Sequence, residues 1–551
     1  MMRTYQVQID DQPFVNESLT TEKTAVVKTV LNQKVISIDK YGVVDVNEIY
    51  QKIINQQPVD LSFAYVQCFS IQELKKLNNL PENEEVSILK FKAKNAFFDT
   101  DKLIDFSRVR FLGGVDFSDS IFSNGELSFL SSKFEDGNVK FKQTYFDCSI
   151  INFQYAKFGK GEVNFTNAIF NGEQISFINT SFGDGNVSFK NVDFNQSKPI
   201  FHFSKFGEGD KSFENAIFGD QGCDVRKVEF GSGKIDFRKA VFGNGDVVFD
   251  ESEIISGKLI FRLATFGTGA KSFKSVDFGK TDVLFENVNF GSGTVSFAQC
   301  KAQNISFKGS HLNVYLDLKI NECDSVDLTD TVIRDIIDLK PSTSPVKITK
   351  LYLVGARNLG RIIVDWELND IKNWIKNQSD STLLQKAEQF NIFKENFHLN
   401  GQYEDEDKAY VQFKRFEYRA EVNYVKTKGG KEYLKAPFLF FRWLVFDKMG
   451  LFATSPLRVL FSMLLVYVCF SLLYLLIGFF HAGDIVNAVG ATDHLSFFQT
   501  CFYHSAITFL TIGYGDYYPM GFERGISIVE GWSGVFLMSY FTVAFVRKIL
   551  R

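Results

Sequence analysis

The run Thr508-Phe509-Leu510-Thr511-Ile512-Gly513-Tyr514-Gly515-Asp516 reads T-x-x-T-x-G-Y-G-D. Its residue types suit one task, the coordination of a dehydrated cation by backbone oxygens. An ion gives up its water shell only to oxygens of similar number and field strength, and rings of carbonyls supply them. To aim successive carbonyls at one axis, the chain must alternate its local hand. Gly513 and Gly515 permit positive φ at little steric cost. Thr511 adds a hydroxyl at one end of the run.

Such a loop must be held by other elements. Ser496 to Phe509 has the length of a short re-entrant helix, tolerated at membrane depth when buried in protein. Leu457 to Phe480 carries one charge, Arg458, and is long enough to span a bilayer. Gly525 to Val546 reads as a second span, followed by Arg547, Lys548 and Arg551. Residues 481–494, HAGDIVNAVGATDH, read as a polar loop. Arg442, Lys448 and Arg458 precede the first span. The loops between the spans carry Asp484, Asp493, Asp516 and Glu523 against Arg524. By the positive-inside rule both termini are cytoplasmic and the loop faces out. This places the chain in a cell's plasma (inner) membrane as a multi-pass protein.

With these flanks, residues 457–551 resemble the pore of two-span potassium channels. The resemblance implies a selectivity filter over Thr511, Ile512, Gly513, Tyr514, Gly515 and Asp516. The carbonyls of Thr511, Ile512, Gly513 and Tyr514 would hold potassium, Tyr514 would point away from the axis, and Asp516 would sit at the outer mouth. It also implies a homotetramer and potassium as permeant ion rather than cofactor. A less selective cation pore and a membrane-anchored scaffold are the alternatives. They would show a substituted filter or no pore helix.

The family pattern also points to supporting residues. Many of its members place two Trp eight and seven residues before the filter Thr; here Tyr503 and His504 stand there, and Thr508 completes that face. Some carry a carboxylate four before that Thr, where this chain has Ile507. Glu530 is the candidate replacement brace, since a carboxylate inside a span is costly and faces protein with a partner. His504 is expected beside Tyr514, making outer pH matter between about 5 and 7. Phe541, Ala544 and Phe545 fall at helical spacing near the inner end, where an apolar ring could close the pore by dewetting; helix packing fits them equally. Gly531 and Gly534 allow either a hinge or close helix contact. No voltage-sensor ladder of arginines occurs.

Before the membrane region a repeat dominates. From 117 to 297 in steps of 12, all sixteen positions are Phe except Val225. From 122 to 290, all fifteen are Phe except Ile254. Two residues before each member of the second series stands Ser, Thr, Ala or Val. A period of 12 fits stacked β coils. The small residue two before a large apolar one resembles the pentapeptide-repeat family, a right-handed quadrilateral β-helix. The strict five-residue step is broken here to 5+7+5+7, with G-x-G insertions at corners. Coils of 24 residues with four faces are expected rather than two-faced coils of 12, whose interior would crowd the rings.

The chain is therefore multidomain. Residues 1–95 form a mixed α/β cap and 96–365 an all-β solenoid. Residues 366–435 form a helical adaptor whose helices 381–401 and 404–425 join at Gly401. Residues 436–456 form an interfacial helix anchored by Arg442, Trp443 and Lys448. Residues 457–551 form the α-helical pore domain. A formal charge of -4 argues against a nucleic-acid partner. Seven scattered cysteines without a C-x-x-C pair suggest neither zinc nor a disulfide framework. No catalytic constellation is visible among six histidines, so no enzyme and no cofactor are expected. The partners expected are the bilayer, three further copies, and an unidentified gating ligand or protein on the solenoid.

Overall fold

Parallel strands in register bring identical positions of successive repeats together, so the pairing offset measures the coil. In the computed structural model, which describes residues 3–194, 196–341, 346–480, 483–488 and 495–550, Phe122 pairs with Phe146, Val139 with Val163 and Ile151 with Ile175. Each offset is 24, so one coil takes 24 residues and has four faces. The longest stack holds 13 strands.

The two Phe series become four ladders of stacked rings. Phe117 lies 5.2 Å from Phe141 at 6°, and Phe213 lies 4.6 Å from Phe237 at 7°. Neighbouring ladders meet edge to face, as Phe117 and Phe129 do at 5.9 Å and 74°, a favoured aromatic geometry. The small residues before the second series have a second use. Ser132 Oγ donates to the Phe106 carbonyl at 2.7 Å, and Thr144 and Thr180 repeat the bond half a coil and two coils on. Each satisfies a buried hydroxyl.

Corners follow the same period. Two residues after each first-series position the backbone turns left-handed, from Asp119 to Gln299. Asn tolerates this conformation, and Asn167, Asn191 and Asn215 chain their amides across coils at 2.9 and 3.0 Å. At the G-x-G corners the backbones of successive coils touch. A Cβ on Gly183 would lie 1.9 Å from the Gly159 carbonyl oxygen.

Two interior positions break the apolar pattern. Lys211 and Lys271 stand where the adjacent coils place Val or Ile, and burial pushes both down to about 8. Each ammonium donates to two carbonyls: Lys211 to Gly207 at 2.6 Å and to Ser232, Lys271 to Gly267 at 2.8 Å and to Ser292. Ser232 and Ser292 lie in Gly-Ser-Gly corners of the following coil, and Gly231, Gly233, Gly291 and Gly293 all have positive φ there. The corner is rebuilt so that its carbonyl turns toward the lysine.

The chain forms two compact units, Met1–Gln378 and Ser379–Arg551. In the first, α1 (Val46–Ile54) buries Ile49, Tyr50 and Ile53, and Tyr50 meets Phe69 of the first coil at 5.9 Å. Antiparallel strands Thr4–Asp10, Thr24–Leu31 and Lys34–Val43 pack Tyr5, Ala25, Val27 and Tyr41 against Tyr65, Phe97 and Ile121. They thus cover a flank of the early coils as well as an end. Helix α2 spans Ile71–Leu77. After Phe297 the step shortens, Thr294 pairing with Tyr315 and Asp282 with Asn304, as Leu and Ile replace Phe. Helix α3 (Ile371–Lys376) buries Ile371, Trp374 and Ile375 against the strand Ile348–Tyr352, so the solenoid's unit runs beyond residue 365.

The second unit opens with α4 (Leu383–Leu399), started by a capping box at Thr382. It turns at Gly401 (φ 70) into α5 (Tyr403–Lys428). Ala387, Phe390, Phe393 and Phe397 are buried on one face of α4, and Leu384 is exposed. Then come α6 (Ala436–Arg442), a π-helical turn Trp443–Met449 and a 3-10 turn Leu451–Ala453. Arg442 pairs with Glu421 at 2.8 Å and Lys448 lies over the Trp443 ring at 5.3 Å. Helices α7 (Pro456–Phe479), α8 (Phe497–Phe509) and α9 (Glu523–Ile549) complete the unit. Part of the expected polar loop is a strand, Gly483–Asn487, paired antiparallel with Tyr517–Gly521. Its β-branched Ile485 and Val486 suit that pairing. Residues 481–482 and 489–494 of that loop, Asp493 among them, and Arg551 lie outside the described residues.

Candidate functional site

The loop after α8 begins where that helix runs out of donors. The amides of Ile512 and Gly513 both donate to the Ile507 carbonyl, at 2.8 and 3.2 Å, and Thr511 N–H donates to the Thr508 carbonyl at 3.0 Å. The Leu510 carbonyl accepts from Thr511 Oγ1 at 2.7 Å, and the next two peptides turn their amides toward the helix. Positive φ occurs at Thr511 (58°), Gly513 (59°) and Gly515 (77°), and not at Ile512, Tyr514 or Asp516. The local hand therefore alternates residue by residue, and Thr511 takes part although it is not glycine. Ile512 and Tyr514 are exposed in the single chain. Helix α8 starts in a capping box, Ser496 with Gln499, and its carbonyl end, the negative end of its dipole, leads into the loop.

The outer end of the loop is anchored. Tyr503 Oη donates to Asp516 Oδ2 at 2.7 Å, and the Asp516 carbonyl accepts from Ala488 N–H at 2.8 Å. Tyr517 meets Tyr503 edge to face at 5.7 Å, and its hydroxyl accepts from Leu495 N–H at 3.2 Å.

Behind α8 lies a buried polar chain. Glu530 is 0% exposed. Its Oε2 accepts from the Tyr474 hydroxyl at 2.8 Å, and its Oε1 accepts from Ser505 Oγ. The single Tyr474 hydrogen is spent on Glu530, so Ser527 Oγ donates to Tyr474, at 2.8 Å. Ser527 then accepts from His504 Nε2–H at 3.0 Å, which fixes the tautomer of that ring. Thr508 Oγ1 lies 3.4 Å from the same nitrogen. Helices α7, α8 and α9 are thus joined through Glu530. His504 is 3% exposed, and its ring packs on Tyr474 at 5.2 Å.

Residues 462–551 match the family model described as ion channel. This segment is the channel domain of the chain. Helices Pro456–Phe479 and Glu523–Ile549 are long and apolar enough to cross a membrane. With the channel domain they mark a membrane protein. No curated protein and no solved structure matches the chain.

Within the channel domain α9 runs unbroken past Gly531 and Gly534. The two glycines differ. A Cβ on Gly534 would sit 1.9 Å from the Phe509 carbonyl oxygen, whereas one on Gly531 would meet nothing nearer than the Thr508 carbonyl oxygen at 4.0 Å. Gly534 is where α9 touches the end of α8. Farther in, Ala544 is fully buried with Tyr540 against Ala453 and Val459, and Phe541 packs on the same cluster. Phe545 stacks on Phe541 at 5.8 Å and is exposed.

Several residues of this site escape sequence reading. Tyr474, Ser505 and Ser527 stand on three helices, and only the presence of polar groups in apolar segments hints at them.

Proposed function

We propose that the protein is a homotetrameric, potassium-selective channel of the plasma membrane, with its termini and solenoid cytoplasmic. The observation that carries this reading is the alternating hand of Thr511 to Gly515, with the amides of Ile512 and Gly513 tied to Ile507. Four such loops around an axis leave the carbonyls of Thr511, Ile512, Gly513 and Tyr514 as the rings that replace water around potassium. Potassium is the permeant ion, and no cofactor enters. Asp516, held by Tyr503, forms the outer mouth, and Glu530 braces the filter from behind through Ser505. The excess of Arg and Lys outside the two spans supports the orientation. An apolar ring at Phe545, with Phe541 behind it, is the candidate gate. The solenoid serves gating or assembly through a ligand or protein that the sequence does not name.

The test is reconstitution of the full chain in liposomes with ion flux and bilayer recording. Potassium is expected to pass well ahead of sodium. Equal passage of both supports a less selective pore, and no flux supports a scaffold. Gly513→Ala separates backbone from packing, because no atom lies within 4 Å of the added Cβ. Left-handed alanine costs roughly 1–2 kcal/mol per residue, so selectivity or conductance is expected to be lost. A selective wild type with an unchanged Gly513→Ala variant sinks the filter assignment.

A further inference from the structure

Leu451, Phe452 and Ala453 join the π-helical turn to α7, and all three are left-handed, with φ of 47°, 57° and 61°. None is glycine or asparagine, so each carries the Cβ penalty of that region. Such conformations persist only where the surroundings over-determine them.

Here the surroundings are the inner half of α9. The Tyr540 hydroxyl accepts from Ala453 N–H at 2.9 Å and donates to the Phe446 carbonyl at 3.4 Å. Arg547 donates to the Phe452 carbonyl at 3.4 Å. Gly450 makes room for the tyrosine: a Cβ there would lie 2.3 Å from Tyr540 Cε1. A second tether comes from α5. Asp407, 7% exposed, pairs with Arg547 at 2.9 Å and with Lys548 at 3.3 Å. One hydroxyl and one carboxylate thus hold a strained elbow and the cytoplasmic end of α9 together.

We propose that this junction is a latch on the pore-lining helix. Seated, Tyr540 keeps the elbow left-handed and fixes the inner end of α9. Unseated, the elbow relaxes and that end is released. A pull on α5 reaches the latch through Asp407, which gives the adaptor helices a route to the gate. The inference rests on the channel reading and adds its regulation. Tyr540 is a positioning residue: it acts on conduction through α9.

The test uses the full-length protein in nanodiscs. Tyr540→Phe keeps the ring and removes the hydroxyl, and Gly450→Ala drives the ring from its seat. One ordinary hydrogen bond corresponds to about a fivefold shift in an equilibrium. Both variants are expected to raise hydrogen exchange at the Ala453 amide by at least about that factor and to shift open probability comparably. Selectivity and unitary conductance stay unchanged. Ala453→Gly, which relieves the strain, is expected to shrink the effect of Tyr540→Phe; additive effects count against the latch. Unchanged exchange in Tyr540→Phe overturns the proposal, as does raised exchange with open probability unaltered. A wild type that carries no current refutes the channel reading and the gating role with it, while exchange still decides whether the latch exists.

Discussion

Gly534→Ala tests the contact between α9 and the base of the filter loop. The new Cβ would lie 1.9 Å from the Phe509 carbonyl oxygen. Carbon and carbonyl oxygen sit comfortably at about 3.3 Å, so α9 must retreat from α8 by roughly 1.4 Å. Backbone stands on the far side, and no flexible side chain can yield. Overpacking of this kind costs about 1–3 kcal/mol per site, and each copy in the proposed tetramer would bear it. The displacement also falls two residues before Thr511, so its effect extends beyond stability to the geometry of the first carbonyls. Gly531→Ala is the control. It stands one turn away on the same helix, meets nothing nearer than 4.0 Å, and gains up to about 1 kcal/mol from helix propensity. The assay is thermal stability of detergent-purified protein by size exclusion, together with potassium and sodium flux. Gly534→Ala is expected to lower the midpoint and degrade selectivity, and Gly531→Ala to do neither. Equal behaviour of the two variants would refute the close approach.

Three further outcomes follow from the same geometry. Glu530→Gln replaces an acceptor of two hydroxyl bonds with a group that has one acceptor oxygen, losing about 1.5–3 kcal/mol of charge-assisted bonding; faster inactivation or looser selectivity is expected with the oligomer intact, and wild-type currents would rule out the brace. For Lys211 the folded pKa of about 8 lies below the ordinary 10.5. Below pH 8 the charged ammonium is buried at full penalty, and between about 8 and 10.5 the folded state sheds its proton first, so stability rises with pH. Protection of coil amides in the wild type relative to Lys211→Met, corrected for intrinsic exchange rates, should therefore rise from pH 7 to pH 10, and a constant ratio would count against it. Phe189→Ala opens a ladder between Phe165 and Phe213 and is expected to cost about 3–5 kcal/mol of solenoid stability; a shift below 1 kcal/mol in denaturant unfolding would contradict the close-packed interior.

The legible parts of the chain were those with local or periodic signals. The loop with alternating hand, the three helices around it and the 24-residue coil could be read because glycine spacing, apolar length and ring crowding each act within a short window. The left-handed corner had a signal as well, in the asparagines at 167, 179, 191, 215 and 287. The elbow had none: Leu451, Phe452 and Ala453 look like ordinary apolar helix, and their conformation is imposed by Tyr540, distant in sequence. Partners of Glu530 were unreadable for a similar reason, since Tyr474 and Ser505 reach it from separate helices. The strand Gly483–Asn487 was missed because its mate lies beyond the filter. For His504 the spacing gave a position on the helix, while its contact with Ser527 at 3.0 Å could not be read from the sequence.

The fixed step of 24 also limits how the solenoid can change length. Between Phe117 and Phe297 the ladders, hydroxyl bridges and corners repeat at that interval, so removing one whole coil there would join like to like and move the two ends closer by a single strand spacing, about 4.8 Å. Removing 12 residues would instead set each ladder over the one across from it, and the lysines would lose the serine carbonyls of the following turn. The domain behaves as a graduated spacer, with permitted lengths that are discrete.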